Sequence, residues 1–205
     1  GRATRAAAKP AFAVADDLVS LGTGTRVKKV VFVDVKVYDV SLFVDAVSAK
    51  EQFEAGETLQ SGTFAKTLLI EMLRDVDAKT FWEALDSALG PRIKGLATDL
   101  ATAEDADGNF MASTAEAAEM AEEAALAEVE QLRALFEGVG ALKAGATIEL
   151  ALAPKGEGLT VGVGGASSLE LKSPLLAAAM ADTYLGADPV SPDAKAAWAD
   201  GATKL

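Results

Sequence analysis

Between Arg26 and Asp45 the chain reads RVKKVVFVDVKVYDVSLFVD, a stretch dense in Val with Phe, Tyr and Leu. β-Branched and aromatic residues at this density predict two consecutive strands. The second half alternates: Tyr38, Val40, Leu42 and Val44 share one face, and Asp39, Ser41 and Asp45 share the other, with Phe43 the exception. Tyr38 thus points with the apolar residues. A tyrosine in that position buries its ring, and its hydroxyl then needs a partner. In the first half Lys28 and Lys29 fall on opposite faces, so the pattern does not say where Arg26 points.

Further along, Thr67 to Leu73 (TLLIEML) predicts a third strand, with a helix as the alternative. Asp77 is placed to cap a short helix with Phe81, Ala84, Leu85 and Ala88 on its apolar face, ended by Gly90-Pro91. A long helix is expected from about Thr114 to Glu137, apolar at Ala118, Ala121, Ala125, Val129, Leu132 and Phe136 and rich in Glu elsewhere. ATIELALAP, the turn Lys155-Gly156-Glu157-Gly158, and LTVGVGG then predict a hairpin, followed by a short strand at Ser168 to Leu171. Two final helices open on Ser173-Pro174 and Ser191-Pro192, with Ser as cap and Pro in the first turn. The order β-β-α-β-α-α-β-β-β-α-α predicts an α+β fold, an antiparallel sheet with helices on one face.

Composition narrows the chemistry. The 205 residues suit one domain. Gly1 to Val14 carries three cations and no acid, unlike the acidic remainder. It is expected to be a loose tail over 1–15 ahead of a domain over 16–205, or the remnant of a plastid or mitochondrial targeting segment. With 31 acidic against 19 basic residues the net charge is −12, which repels phosphate backbones and argues against nucleic acid and anionic membranes as partners. The longest uncharged run, Gly158 to Leu169, is shorter than the roughly 20 residues a membrane span takes, so no transmembrane segment is expected. Cysteine and histidine are both absent. That excludes disulfides, thiol nucleophiles, structural zinc and any Ser-His-Asp or Cys-His relay.

Several motifs fail on inspection. Leu21-Gly22-Thr23-Gly24 lacks the third glycine and the following helix of a phosphate loop, and is read as a tight turn. Ala103 to Gly108 (AEDADG) lacks carboxylates at the first and last positions of a calcium loop and is read as a solvated acidic loop. Glu116, Glu119, Glu122 and Glu123 are read as a wet helix face, not a metal site. Val161 to Gly165 (VGVGG) is read as a strand whose small residues allow close packing.

Three segments carry a resemblance. GTRVKKVVFVDVKVYDVSLFVD (Gly24 to Asp45) resembles the glycine-x-arginine turn and first long hairpin of the chalcone isomerase superfamily. LRDVDAKTFWEALDSALGPR (Leu73 to Arg92) resembles the middle segment of that superfamily's non-catalytic, fatty-acid-binding branch. Tyr184-Leu185-Gly186 and Pro189 to Lys195 (PVSPDAK) resemble its C-terminal part. The resemblance implies an open-faced β-sandwich: a curved antiparallel sheet backed by helices, with a ligand cleft between them.

A fold does not fix a function, so the site is carried over residue by residue. Catalytic members of the superfamily use an arginine after the glycine turn, a threonine twelve residues on, a tyrosine and an asparagine on the middle helix, and a hydroxyl on the penultimate helix. Arg26 matches the arginine, but Tyr38 stands at the threonine position, Phe81 at the tyrosine and Ala88 at the asparagine, and the penultimate helix offers Ala177 and Ala178. Arginine kept with tyrosine for threonine resembles the fatty-acid-binding branch, where the pair clamps a carboxylate at the base of an apolar tunnel. The resemblance therefore implies a non-catalytic protein that binds a fatty acid or similar amphipathic carboxylate through Arg26 and Tyr38, needs no cofactor or metal, and resides in the plastid as a soluble protein. Small residues at Ala177 to Ala179 and Ala181 either leave room for the acyl chain or let the helices pack closer to the sheet. Residues alone leave open a structural role, with Arg26 paired to Asp16 or Asp17 and Tyr38 a satisfied core tyrosine. Alternatives for the whole chain are an assembly subunit of a larger complex that has lost its ligand, and a residual isomerase using Arg26 as electrophile.

Overall fold

The computed structural model describes residues 18–30, 32–103, 112–165 and 167–205. The expected tail over 1–15, Asp16, Asp17, and the acidic loop past Ala103 lie outside the described residues. Six strands form one antiparallel sheet: β1 (Leu18–Val30), β2 (Val33–Asp45), β3 (Lys66–Met72), β6 (Thr147–Leu152), β7 (Leu159–Val163) and β8 (Ser167–Leu171), in that spatial order. A small second ladder joins β4 (Val76–Asp77) to β5 (Ala141–Leu142). The helices are α1 (Ala46–Glu54), α2 (Ala78–Ala101), α3 (Ala112–Val139), α4 (Pro174–Leu185) and α5 (Pro192–Ala202). With the two short strands set aside, this is the element order the sequence predicts, and the architecture is the expected open antiparallel sheet backed by helices.

One face of the sheet is the core. Tyr38, Val40, Leu42 and Val44 of β2 and Leu68, Ile70 and Met72 of β3 are buried in one cluster with Leu85 and Leu89 of α2, Leu132 and Phe136 of α3, and Leu176 and Met180 of α4. Period-two alternation puts the polar set on the other face. There Thr23 and Ser41 hydroxyls meet at 2.7 Å, and Thr25 donates to Asp39 at 2.6 Å. Phe43, the break in the alternation, is nonetheless buried.

Three sequence expectations need correction. α2 does not stop at Gly90-Pro91 but runs on to Ala101. Proline inside a helix costs about 3 kcal/mol. Here the buried stripe Leu89, Ile93 and Ala97 continues past it and more than offsets that cost. Leu21 to Gly24 is not a tight turn: it lies within β1, which bulges between Ser20 and Gly22. Its glycines let α5 sit against the strand, since a Cβ on Gly24 would lie 2.2 Å from the Ala194 Cα. Trp198 of α5 donates its indole N–H to the Gly22 carbonyl at 3.2 Å. Finally, Ser173 caps α4 by accepting from the Leu176 N–H, but Ser191 makes no such bond to α5. The Ser191 backbone (φ −135°, ψ 82°) departs from the extended cap geometry of Ser173 (φ −70°, ψ 114°), so its hydroxyl is not aimed at the first turn.

Candidate ligand site

Arg26 of β1 and Tyr38 of β2 are direct cross-strand partners. Opposed residues of an antiparallel pair project to the same face. Tyr38 faces the helices, so Arg26 does too, which the hydropathy pattern left open. The ladder shifts register immediately afterwards, with Val27 opposite Lys36. Val37 is the extra residue of a β-bulge, and bulges re-aim neighbouring side chains. Both Val37 and Tyr38 therefore line the same cavity, although consecutive strand residues ordinarily face opposite ways.

That cavity has a volume of about 250 Å³ and opens between the β1–β2 hairpin and α2. Val37, Val76, Phe81, Ala84, Leu85, Ala88 and Val190 give it apolar walls. Arg26, Lys28 and Arg74 give it three cations, and no acidic residue lines it among the described residues. In a chain with a net charge of −12 this is a local inversion of sign. Among the described residues Arg26 makes no ion pair.

Tyr184 was not singled out from the sequence as a site residue, yet it lines this cavity together with Tyr38. The chain has only two tyrosines, and they meet here. Burial raises the Tyr38 pKa above the ordinary phenol value, offset in part by the neighbouring Tyr184 hydroxyl and the Arg26 charge. Burial also pushes Tyr184 well above that value, and the neighbouring Tyr38 raises it further. The two phenols thus interact across β2 and α4 at the cavity wall.

Tyr184 is held by its surroundings. Asp182, two residues earlier on α4, pairs with Arg92 of α2 at 2.9 Å, and Arg92 also donates to the Ala88 carbonyl at 2.8 Å and to that of Asp188. Val190 returns to the Thr183 carbonyl at 2.9 Å, and Lys195 donates to the Gly186 carbonyl at 2.7 Å. On the opposite side Phe81 tilts against Tyr38 with centroids 6.0 Å apart, and against Phe136 at 5.5 Å.

Of the positions compared with the catalytic pattern, Arg26, Tyr38, Phe81 and Ala88 all line the cavity, whereas Ala177 and Ala178 do not. Ala177 and Ala179 are buried against the core, and none of the alanines Ala177 to Ala179 and Ala181 lines the Arg26 cavity. The hydroxyl-bearing residue of α2 that lines the cavity is Thr80.

Comparison with known proteins agrees with this geometry. Residues 16–199 match the family described as chalcone isomerase like. The fold matches the crystal structure of a fatty-acid binding protein from Arabidopsis thaliana, with a TM-score of 0.67 at 19% identity, over 96% of this chain and 93% of that one. No curated protein sequence matches the chain. With a family match spanning most of its length, the chain belongs to the chalcone isomerase-like family.

Proposed function

We propose that the chain binds a fatty acid or a similar amphipathic carboxylate, without catalysis, in the cavity bounded by Arg26, Tyr38 and Tyr184. The observation that carries this reading is the meeting, in one apolar cavity, of a buried tyrosine and an arginine that makes no ion pair among the described residues. A guanidinium offers a planar fork of donors to a carboxylate, and the phenol adds one short bond. Each charge-assisted bond contributes about 1.5–3 kcal/mol, and each buried methylene about 0.8 kcal/mol. Lys28 and Arg74 add favourable potential for an anion without needing to touch it. The Arabidopsis relative, named as a fatty-acid binding protein, supports the ligand class.

The isomerase alternative is the weaker one. Phe81 and Ala88 give the cavity a ring and a methyl group where that chemistry calls for a phenol and an amide. A plastid location belongs to the same reading and rests on the basic stretch Gly1 to Val14; imaging of a fluorescent fusion tests it. Among the described residues no helix is long and apolar enough to cross a membrane.

Native mass spectrometry of the purified chain, with organic extraction of whatever co-purifies, tests the ligand directly. A bound fatty acid is expected. A protein that is empty and also ignores added fatty acids would remove the proposal and favour the assembly-subunit alternative.

A further inference from the structure

A second cavity, of about 210 Å³, lies at the far end of β3 from Met72, between the segment 60–64, the 3₁₀ turn Pro154–Gly156 and α4. It shares no lining residue with the Arg26 cavity. Lys66, the first residue of β3, lines it while only 6% exposed. Its ammonium donates to the Gly62 carbonyl and stands 4.3 Å from the centre of the Phe64 ring. Among the described residues it has no carboxylate partner. A buried charge without a counter-ion is costly, and an ammonium has three donors of which the carbonyl takes one.

The second cation is Lys155, whose backbone sits in the left-handed region at φ 58°, rare for a side chain of its size. Its N–H donates to the Thr63 carbonyl at 2.8 Å, which ties the 3₁₀ turn to the segment 60–64. No acidic residue lines the cavity among the described residues. The nearest acid on α4, Asp182, is taken up by Arg92 and by Gln60, and does not line it. Leu152 and the α4 alanines Ala177, Ala178 and Ala181 form a small apolar wall.

We propose that this second cavity binds a small oxyanion, a carboxylate or a phosphate, between Lys66 and Lys155. Such a group would provide the counter-charge that the fold withholds from Lys66, and the alanine wall leaves room for a short apolar substituent. Burial lowers the Lys66 pKa to about 8, so in the free site Lys66 loses its charge just above neutrality. This inference is independent of the Arg26 site and stands if that one holds no ligand.

The test is a titration of the full chain with butyrate and, separately, inorganic phosphate, followed through the amide resonances of Gly62 and Gly156. Saturable shifts are expected in the wild type and in Arg26→Ala, weakened more than tenfold in Lys66→Met. Saturation by butyrate alone identifies a carboxylate as the ligand, and by phosphate alone a phosphoryl group. Butyrate affinity should fall about tenfold from pH 7 to pH 9, as the free amine titrates near 8. Absence of saturation with both probes, or saturation unchanged in a folded Lys66→Met, overturns the proposal. Should that variant not fold, a pH-independent wild-type affinity overturns it equally.

Discussion

Arg26 on β1 and Tyr38 on β2 are direct cross-strand partners that line one cavity, and Tyr184 reaches the same cavity from α4. The two tyrosines therefore have different places in the site. Tyr38 stands opposite Arg26 in the ladder, whereas Tyr184 belongs to the helical layer behind it.

Tyr38→Phe should therefore weaken fatty-acid binding more than Tyr184→Phe. Loss of the ligand bond is worth about 1.5–3 kcal/mol, roughly tenfold to a hundredfold. Loss of the Tyr184 hydroxyl, which does not stand opposite Arg26, removes at most a neutral hydrogen bond worth about 0.5–1.5 kcal/mol, roughly twofold to tenfold. Ligand titrations of the two variants give the order, and the reverse order would assign the contact to Tyr184.

Both phenols are buried with raised pKa values, so neither should ionise in the ordinary tyrosine range while the protein is folded. An ultraviolet titration of phenolate absorbance should show both protons retained through that range. Release of one proton near the model-compound value would mean that the pair is open to water.

Stability should rise from about pH 8 towards pH 10. Lys66 has a lowered pKa in the folded chain, near 8 against 10.5 unfolded. Between those values the unfolded state binds the extra proton, and stability rises with pH wherever that is so. Above pH 10 the sign reverses, because the two tyrosines ionise first in the unfolded chain. Denaturant midpoints measured across this range check the maximum. Lys66→Met should be more stable than wild type at pH 7 and should lose the rise between 8 and 10.

The glycines where α5 meets β1 offer a sharper test of the fold. A Cβ on Gly24 would meet the Ala194 backbone at 2.2 Å, and one on Gly201 the Leu21 carbonyl oxygen at 1.8 Å. Neither neighbour is the free end of a side chain, so α5 must move. Gly24→Ala should cost about 1–3 kcal/mol, seen as a fall in melting temperature, whereas Gly95→Ala, with open space around it, should not.

Much of this architecture was legible in the chain because it rests on period. Alternation in β2 placed Tyr38 inward, and the 3.6-residue stripe from Ala118 to Phe136 described α3 before any contact was known. What period does not encode was missed. The continuation of α2 past Pro91 depends on tertiary burial of Ile93 and Ala97, which local signals cannot weigh. The inward aim of Arg26 depends on register and a bulge at Val37, and Tyr184 comes to the cavity from a helix far along the chain from Tyr38. One signal for it was available: a buried tyrosine on β2 needed a hydroxyl partner, and the sequence holds one other tyrosine.

The most direct test of the central claim is the affinity of a saturated fatty-acid series for wild type and Arg26→Ala. In the wild type affinity should climb with chain length and then level off once the roughly 250 Å³ cavity is filled. Arg26→Ala should lower affinity tenfold to a hundredfold at every length, from about 1.5–3 kcal/mol of lost charge-assisted bonding. Equal affinities for the two proteins would contradict the account, because the carboxylate would then be held elsewhere or not at all.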